Sequence, residues 1–118
     1  IVGYDVGRIL NIETIFSERV DGKFELRRNF SIKENSKVLI VEDVITTGKS
    51  SLECSELIKK AGGKLLGFAC IIDRTGGSTL IKEKIISQVK IDIPTYTKDN
   101  LPNDLSLIKA IKPGSRNI

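Results

Sequence analysis

Two continuous apolar stretches dominate the pattern of hydrophobic and polar positions along this chain. Residues 37–43 read KVLIVED and residues 64–73 read KLLGFACIID, so apolar or β-branched residues occupy most positions of both. Strands that are apolar on both faces are typical of parallel sheets covered by helices. The two stretches are therefore predicted to be central strands of a mostly parallel sheet.

Between these strands the apolar positions take helical spacing. Residues 51–61, SLECSELIKKA, place Leu52, Leu57 and Ile58 toward the core, and Gly62-Gly63 supply residues that commonly end a helix. The succession of strand, helix and strand over this length predicts one right-handed βαβ unit.

The segment before the first strand predicts a helix, a strand and a hairpin. Residues 2–10 have helical spacing with Asn11 as the carboxy-terminal cap, and residues 12–16 favour a strand. Residues 17–28 contain Asp21-Gly22, a strong signal for a two-residue hairpin turn. Because this hairpin is highly charged, we expect it to project from the body of the protein.

Weaker patterns complete the chain. Asn35-Ser36 predict a turn, residues 84–96 favour an edge strand or two, and residues 101–115 favour a short helix and a loop. Together the elements predict an α/β fold with a mostly parallel central sheet flanked by helices. The length of 118 residues fits one domain.

Composition narrows the classes of function. The net charge is +4, which can indicate nucleic-acid binding, but the cations are dispersed and aromatic residues make up only 5% of the chain. A nucleic-acid partner is therefore disfavoured. A basic surface that attracts a polyanionic small molecule explains the charge equally well. No apolar run approaches the roughly 20 residues of a membrane span, so no membrane partner is expected.

The chain contains two cysteines and no histidine. Cys54 and Cys70 lack the CxxC spacing and the histidine partners of a zinc site, so we expect buried free thiols in a reducing cytoplasm. The absence of histidine also excludes Ser/His/Asp and Cys/His catalysis. Any chemistry must use carboxylates, lysines, arginines, hydroxyls and backbone amides.

The chemistry-bearing residues follow the first central strand directly. In an open α/β sheet, ligands bind at the carboxyl ends of the strands. Glu42-Asp43 place two acids there, and a sugar diol can donate hydrogen bonds to both. Residues 46–50, TTGKS, then provide hydroxyls and closely spaced amides before a helix amino terminus, where Gly48 permits close approach. A diol site followed by a phosphate cradle describes a ribose 5-phosphate.

Two other interpretations of this segment explain less of it. Gly48-Lys49-Ser50 resembles the end of a P-loop, but that motif requires glycine where this chain has Asp43. A plain helix start explains the hydroxyls of residues 46–50 but not the acid pair.

At this point the chain resembles the type I phosphoribosyltransferases, whose motif is a few apolar residues, two acids and a Thr/Gly loop. VLIVEDVITTGKSS at 38–51 matches that motif throughout. Within the family the resemblance is closest to the orotate phosphoribosyltransferases, and it covers nearly the whole chain. The supporting segments, in chain order, are IVGYDVGRIL, FSERVDGKFELRRNF, IIDRTGG, IPTYTKDNLP and KPGSR.

The resemblance implies a role for each matching residue. Glu42 and Asp43 would hold the ribose hydroxyls, and Thr46 and Arg74 would contact orotate. An ion pair of Arg74 with Asp73 is the alternative for that arginine. The residues implied for phosphoribosyl diphosphate are Glu42, Asp43, Val44, Ile45, Thr46, Thr47, Gly48, Lys49 and Ser50, with Arg19, Lys23 and Arg27 from the hairpin.

The hairpin would be the mobile catalytic loop of such an enzyme. Its cations, among them Arg28, would cover the diphosphate, with the loop shared between the subunits of a homodimer. Arg19, Lys23 and Asp43 are the implied catalytic residues. Mg²⁺ would be held mainly through the diphosphate, with no metal ligand predicted on the protein. The family's better-known loop is longer and contains a histidine, which this chain lacks.

The implied reaction transfers phosphoribosyl from phosphoribosyl diphosphate to orotate, giving orotidine 5′-monophosphate and diphosphate in pyrimidine synthesis. A purine phosphoribosyltransferase and a non-catalytic regulator that binds phosphoribosyl diphosphate are the alternatives. The chain begins IVGYDVGRIL, without an initiator methionine. We therefore expect residues 1–118 to be a phosphoribosyltransferase domain that lacks its amino-terminal part, the base hood and first strands.

Overall fold

The computed structural model describes residues 1–94, 96–109 and 111. Its elements, in chain order, are α1 (Val2–Leu10), β1 (Ser17–Val20), β2 (Lys23–Leu26), β3 (Lys37–Ile45), α2 (Lys49–Lys60), β4 (Lys64–Asp73), β5 (Ile85–Lys90), a 3-10 turn (Lys98–Asn100) and α3 (Asn103–Ser106). No helix within these residues is both long and apolar enough to cross a membrane.

The predicted βαβ unit is confirmed as β3–α2–β4, with the two strands parallel. The sheet has the order β3-β4-β5, and β5 is also parallel to β4. The register pairs Ile45 with Asp73 and Asp73 with Lys90. The carboxyl ends of all three strands therefore lie side by side. The α/β class is therefore confirmed.

The core lies between this sheet and α2. Phe68 on β4 is fully buried, and Ile58 on α2 is 3% exposed. The remaining buried apolar residues are Ile40, Ile45, Cys70 and Ile81. Ile81 belongs to the segment after β4, so the core also fixes that segment beneath the end of the sheet.

The position of β3 in the sheet differs from the prediction. Its apolar pattern predicted a central strand, but β3 forms one edge of the described three-stranded sheet. The apolar side chains along β3 instead border a groove of about 1060 Å³ between α1, the hairpin and α2. The strand also continues to Ile45, two residues beyond the predicted stretch.

The predicted strand at residues 12–16 is wrong, because this segment folds back along α1 without strand pairing. Asn11 caps α1 in the left-handed conformation, as predicted, and the Ile12 amide bonds to the Gly7 carbonyl. Thr14 then lies so close to Gly7 that a Cβ there would meet Thr14 Oγ1 at 1.8 Å. In this segment, packing of Thr14 against Gly7 of α1 therefore takes the place of strand pairing.

The predicted hairpin is confirmed, but its free projection is wrong. β1 and β2 pair through the turn Asp21-Gly22, whose φ angles of 47° and 80° are those of a type I′ turn. β2 packs against α2. The three arginines of the hairpin form ion pairs within the hairpin and to α2.

The other boundaries shift by small amounts. The turn at Asn35-Ser36 is confirmed, and α2 begins at Lys49, two residues earlier than predicted. One strand, β5, forms within residues 84–96. In residues 101–115 the short helix is α3, whereas the tail motif KPGSR lies outside the described residues.

We predict that Ile58→Ala lowers the free energy of unfolding by about 2–5 kcal/mol, because it removes a buried side chain between α2 and the sheet. Glu56→Ala, at an exposed position on the same helix, is the control and should change it by less than about 0.5 kcal/mol. Urea denaturation of the full-length protein measures both. Equal effects would contradict this packing.

Candidate active site

The two acids at the end of β3 point to opposite faces of the sheet, as successive strand residues must. Glu42 is half-buried, and its Oε1 accepts a hydrogen bond of 2.6 Å from Ser51 Oγ at the start of α2. Asp43 is exposed, and its Oδ1 accepts the Val44 amide at 2.8 Å. The Asp43 carboxylate is thus open to a ligand, whereas Glu42 joins β3 to α2.

Residues 46–50, which we call the phosphate loop, connect β3 to α2. Thr46, Thr47, Lys49 and Ser50 are exposed. The first bond within α2 runs from the Leu52 amide to the Gly48 carbonyl at 2.9 Å, and the N-cap Gly48 has no side chain to cap the helix. The Lys49 amide makes a long hydrogen bond of 3.4 Å to Thr47 Oγ1. The first amides of a helix have no acceptor within it, so they can bind an anion at the positive end of the helix dipole.

The phosphate loop is held in place by residues 79–81, which the sequence did not predict to belong to the site. The Thr47 carbonyl accepts two hydrogen bonds of 3.2 Å, one from the Leu80 amide and one from Thr79 Oγ1. Gly48 has a φ of 80°, and a Cβ there would lie 2.6 Å from Ile81 Cγ1. Glycine is therefore required at position 48 for two reasons: the positive φ angle, and the lack of room for a Cβ beside Ile81. The sequence around residues 79–81 contains no signal that predicts this contact.

Arg74 lies beside the phosphate loop at the end of the next strand. Its amide donates to the Ile45 carbonyl at 2.8 Å, which brings Arg74 next to Thr46. The Arg74 Nε is buried and has no hydrogen-bond partner within the described part of the chain. The structure therefore brings together the two residues that the resemblance implied for orotate.

The alternative ion pair of Arg74 with Asp73 does not form. Asp73 Oδ1 instead accepts the Thr75 amide at 2.9 Å. This bond, a second hydrogen bond from the Thr75 side chain and the positive charge of nearby Lys90 hold the pKa of Asp73 below its usual value, against the effect of burial. Asp73 is thus occupied in shaping the turn at residues 73–77, and it leaves Arg74 free to bind a ligand.

The hairpin cations differ in their surroundings. Arg27 and Arg28 both bind Glu18 within the hairpin, at 3.4 and 3.0 Å. Arg19 binds Glu53 on α2 at 2.5 Å. Lys23 is exposed, and among the described residues it has no ion-pair partner. Of the implied diphosphate ligands, Lys23 is therefore the least engaged.

The cysteines are free, as predicted. Cys70 is buried, and Cys54 is half-buried, 3.5 Å from Ser17 Oγ. Burial raises the pKa of both thiols, so neither is poised as a nucleophile. Both belong to the packing around the site.

Comparison with known proteins agrees with this geometry. A family model described as "Phosphoribosyl transferase domain" matches residues 7–101. The chain belongs to this family. That match includes the acid pair, the phosphate loop and Arg74.

Several curated relatives are called orotate phosphoribosyltransferase. The protein from Parvibaculum lavamentivorans is 45% identical over 118 residues, covering 100% of this chain and 61% of that protein. The protein from Bartonella tribocorum is 47% identical over 118 residues, with the same two coverages. The chain thus spans about three fifths of the length of the curated relatives that it matches.

Solved structures of adenine phosphoribosyltransferases share the fold. The enzyme from Thermoanaerobacter pseudethanolicus aligns with a TM-score of 0.57 and 18% identity, covering 77% of this chain and 66% of that chain. The Leishmania tarentolae enzyme gives a TM-score of 0.53, also at 18% identity, covering 75% and 55%. At these identities the likeness establishes the type I phosphoribosyltransferase fold and not the base.

We predict that Gly48→Ala destabilises the protein more than Gly22→Ala. Both glycines have a φ of 80°, so both variants incur the left-handed strain of about 1–2 kcal/mol. An added Cβ meets nothing within 4 Å at Gly22, but it collides with Ile81 at Gly48, which adds about 1–3 kcal/mol. Urea denaturation compares the two. Equal losses would show that Gly48 is needed for its φ angle alone.

Proposed function

We propose that this chain is the phosphoribosyl-diphosphate-binding part of an orotate phosphoribosyltransferase of pyrimidine synthesis. The observation that supports this best is the meeting of three groups at one edge of the sheet: the exposed carboxylate of Asp43, the uncapped start of α2 and the unpartnered Arg74 Nε. The names of the curated relatives support the same enzyme.

The ribose 5-phosphate of the ligand fits the β3–α2 junction. In the proposal, residues 46–50 donate amides and hydroxyls to the 5-phosphate, and the adjacent Val44 and Ile45 backbone borders it. Asp43 accepts hydrogen bonds from the ribose hydroxyls through the oxygen that does not bind the Val44 amide. Glu42, on the opposite face of β3, supports the site indirectly in this proposal, because it holds Ser51 at the start of α2.

The base is proposed to bind between Thr46 and Arg74. Orotate carries a carboxylate and adenine does not, and a planar guanidinium binds a carboxylate through two parallel hydrogen bonds. A buried guanidinium nitrogen without a partner is costly unless a ligand satisfies it. This requirement favours orotate over a purine.

In the proposed reaction, the C1–O bond to the diphosphate breaks and a ring nitrogen of orotate bonds to C1. Diphosphate leaves with the electron pair of the broken bond, and the proton that the orotate ring nitrogen carried is released to solvent. Positive charge develops on the ribose ring, so the protein contributes by positioning the reactants and stabilising the leaving group. Lys23 is the proposed hairpin cation for the leaving diphosphate, with Arg27 engaging diphosphate after leaving Glu18.

Mg²⁺ is part of the proposal and would be held mainly through the diphosphate. The exposed Asp43 carboxylate is the type of oxygen donor that Mg²⁺ accepts, so the described residues fit such an ion beside the ribose. When bound, the ion neutralises charge on the departing diphosphate.

We also propose a cytoplasmic homodimer that shares the hairpin between sites. The free cysteines agree with a reducing compartment.

We predict that Asp43→Asn lowers kcat for orotidine 5′-monophosphate formation roughly 100- to 1,000-fold, because it removes a charge aimed at the ribose. Glu56→Gln, which removes an exposed carboxylate farther along α2, is the control and should retain wild-type kcat. Steady-state kinetics on the full-length protein measures both variants. Wild-type kcat in Asp43→Asn would refute the diol assignment.

We predict that Arg74→Ala raises the KM for orotate about 10- to 100-fold, the loss expected for a charge-assisted hydrogen bond, and leaves the KM for phosphoribosyl diphosphate unchanged. Arg8→Ala, which removes an exposed arginine on α1, is the control. A panel of orotate, adenine and hypoxanthine tests the base in the wild-type protein. Turnover of a purine would favour the purine enzyme, and ligand binding without any turnover would favour a regulator.

A further inference from the structure

Arg19 is held at the phosphate loop by four groups. Its Nη1 donates to the Gly22 carbonyl at 2.6 Å, and its guanidinium lies 4.2 Å from the centre of the Phe24 ring. Its Nη2 donates to Glu53 Oε2 at 2.5 Å and to Ser50 Oγ at 3.3 Å. Two contacts therefore come from the hairpin and two from α2, within one chain.

The contact with Ser50 determines what that hydroxyl can do. A serine hydroxyl has one hydrogen to donate and two lone pairs to accept. An arginine can only donate, so Arg19 occupies a lone pair of Ser50 and directs the hydroxyl hydrogen away from itself. A hydroxyl held in this way is prepared to donate to an anion at the amino terminus of α2.

Glu53 is the charged partner of Arg19. Among the described residues, Arg19–Glu53 is the ion pair that joins the hairpin to α2, because Arg27 and Arg28 bind Glu18 within the hairpin. Both side chains of the pair are 36% exposed, so the pair is accessible to solvent, and the additional contacts of Arg19 maintain its geometry.

We propose that Glu53 is a positioning residue that holds Arg19 against Ser50, so that the Ser50 hydroxyl donates to the 5-phosphate bound in the same chain. The inference rests on the proposed function and refines it. In this proposal, Arg19 acts near the 5-phosphate of the ligand that is bound in the same chain. Lys23 remains the hairpin cation for diphosphate. A role at the phosphate end is not what the resemblance implied for Arg19.

The test separates the two ends of the ligand. Ribose 5-phosphate and inorganic diphosphate are titrated separately into the full-length protein by isothermal calorimetry. The variants are Glu53→Gln, Arg19→Gln and their double mutant. Glu56→Gln is the matched control, because it breaks the exposed Glu56–Lys59 pair on the same helix without touching Ser50.

The proposal predicts that Glu53→Gln and Arg19→Gln each weaken ribose 5-phosphate binding about three- to tenfold and leave diphosphate binding unchanged. The double mutant should bind no more weakly than either single variant, because both act through one contact. Multiplied losses in the double mutant, or equal binding by Glu53→Gln and Glu56→Gln, would overturn the proposal. Weakened binding of diphosphate alone would place Arg19 at diphosphate and also overturn it.

A second comparison, made in the Ser50→Ala variant, keeps the test decisive even if one of the other variants misfolds. In Ser50→Ala, the contact through which Arg19 acts is absent, so adding Arg19→Gln should cause no further loss of ribose 5-phosphate binding. A further loss of similar size would overturn the proposal. Wild-type protein that fails to bind ribose 5-phosphate would overturn the proposed function as well, whereas wild-type binding with an unaffected Glu53→Gln would overturn this inference alone.

Discussion

Backbone pairing of β3 with β4 brings Ile45 level with Asp73, and the main parts of the candidate site follow one or other of these residues. The phosphate loop leaves β3 just after Ile45, and Arg74 follows Asp73 directly. A shift of one residue in this pairing would turn the side chains of one strand to the opposite face and separate Arg74 from Thr46. Register thus determines which groups a ligand can contact together.

The segment after β4 gives this edge its rigidity. Ile81 is buried in the core, and the neighbouring Leu80 and Thr79 bind the Thr47 carbonyl. The phosphate loop is therefore held by contacts on the side away from the ligand, and its exposed residues remain available. Such preorganisation matters for a reaction in which the protein contributes electrostatics, because groups already in position need not reorganise as charge develops.

The sequence predicted the parts of the fold that local patterns determine. The strands 37–43 and 64–73, the helix between them and the Asp21-Gly22 turn each have a signal within a few residues, and each is found. The family could also be predicted from the sequence, because the acid pair and the phosphate loop are adjacent in the chain. The failures concern long-range packing: the fold-back of residues 12–16 brings Thr14 onto Gly7, and the docked hairpin pairs Arg19 with Glu53. Neither partner is identified by sequence spacing alone.

In the proposed complex, the β3–α2 junction binds ribose 5-phosphate and Arg74 faces the base. A crystal structure of the full-length protein with phosphoribosyl diphosphate, Mg²⁺ and a non-reactive orotate analogue tests it most directly. We expect the 5-phosphate to lie against the amides of residues 47–50, the ribose hydroxyls at Asp43, and the carboxylate of the analogue at the Arg74 guanidinium. A 5-phosphate bound away from these amides, or an analogue carboxylate without contact to Arg74, would contradict it.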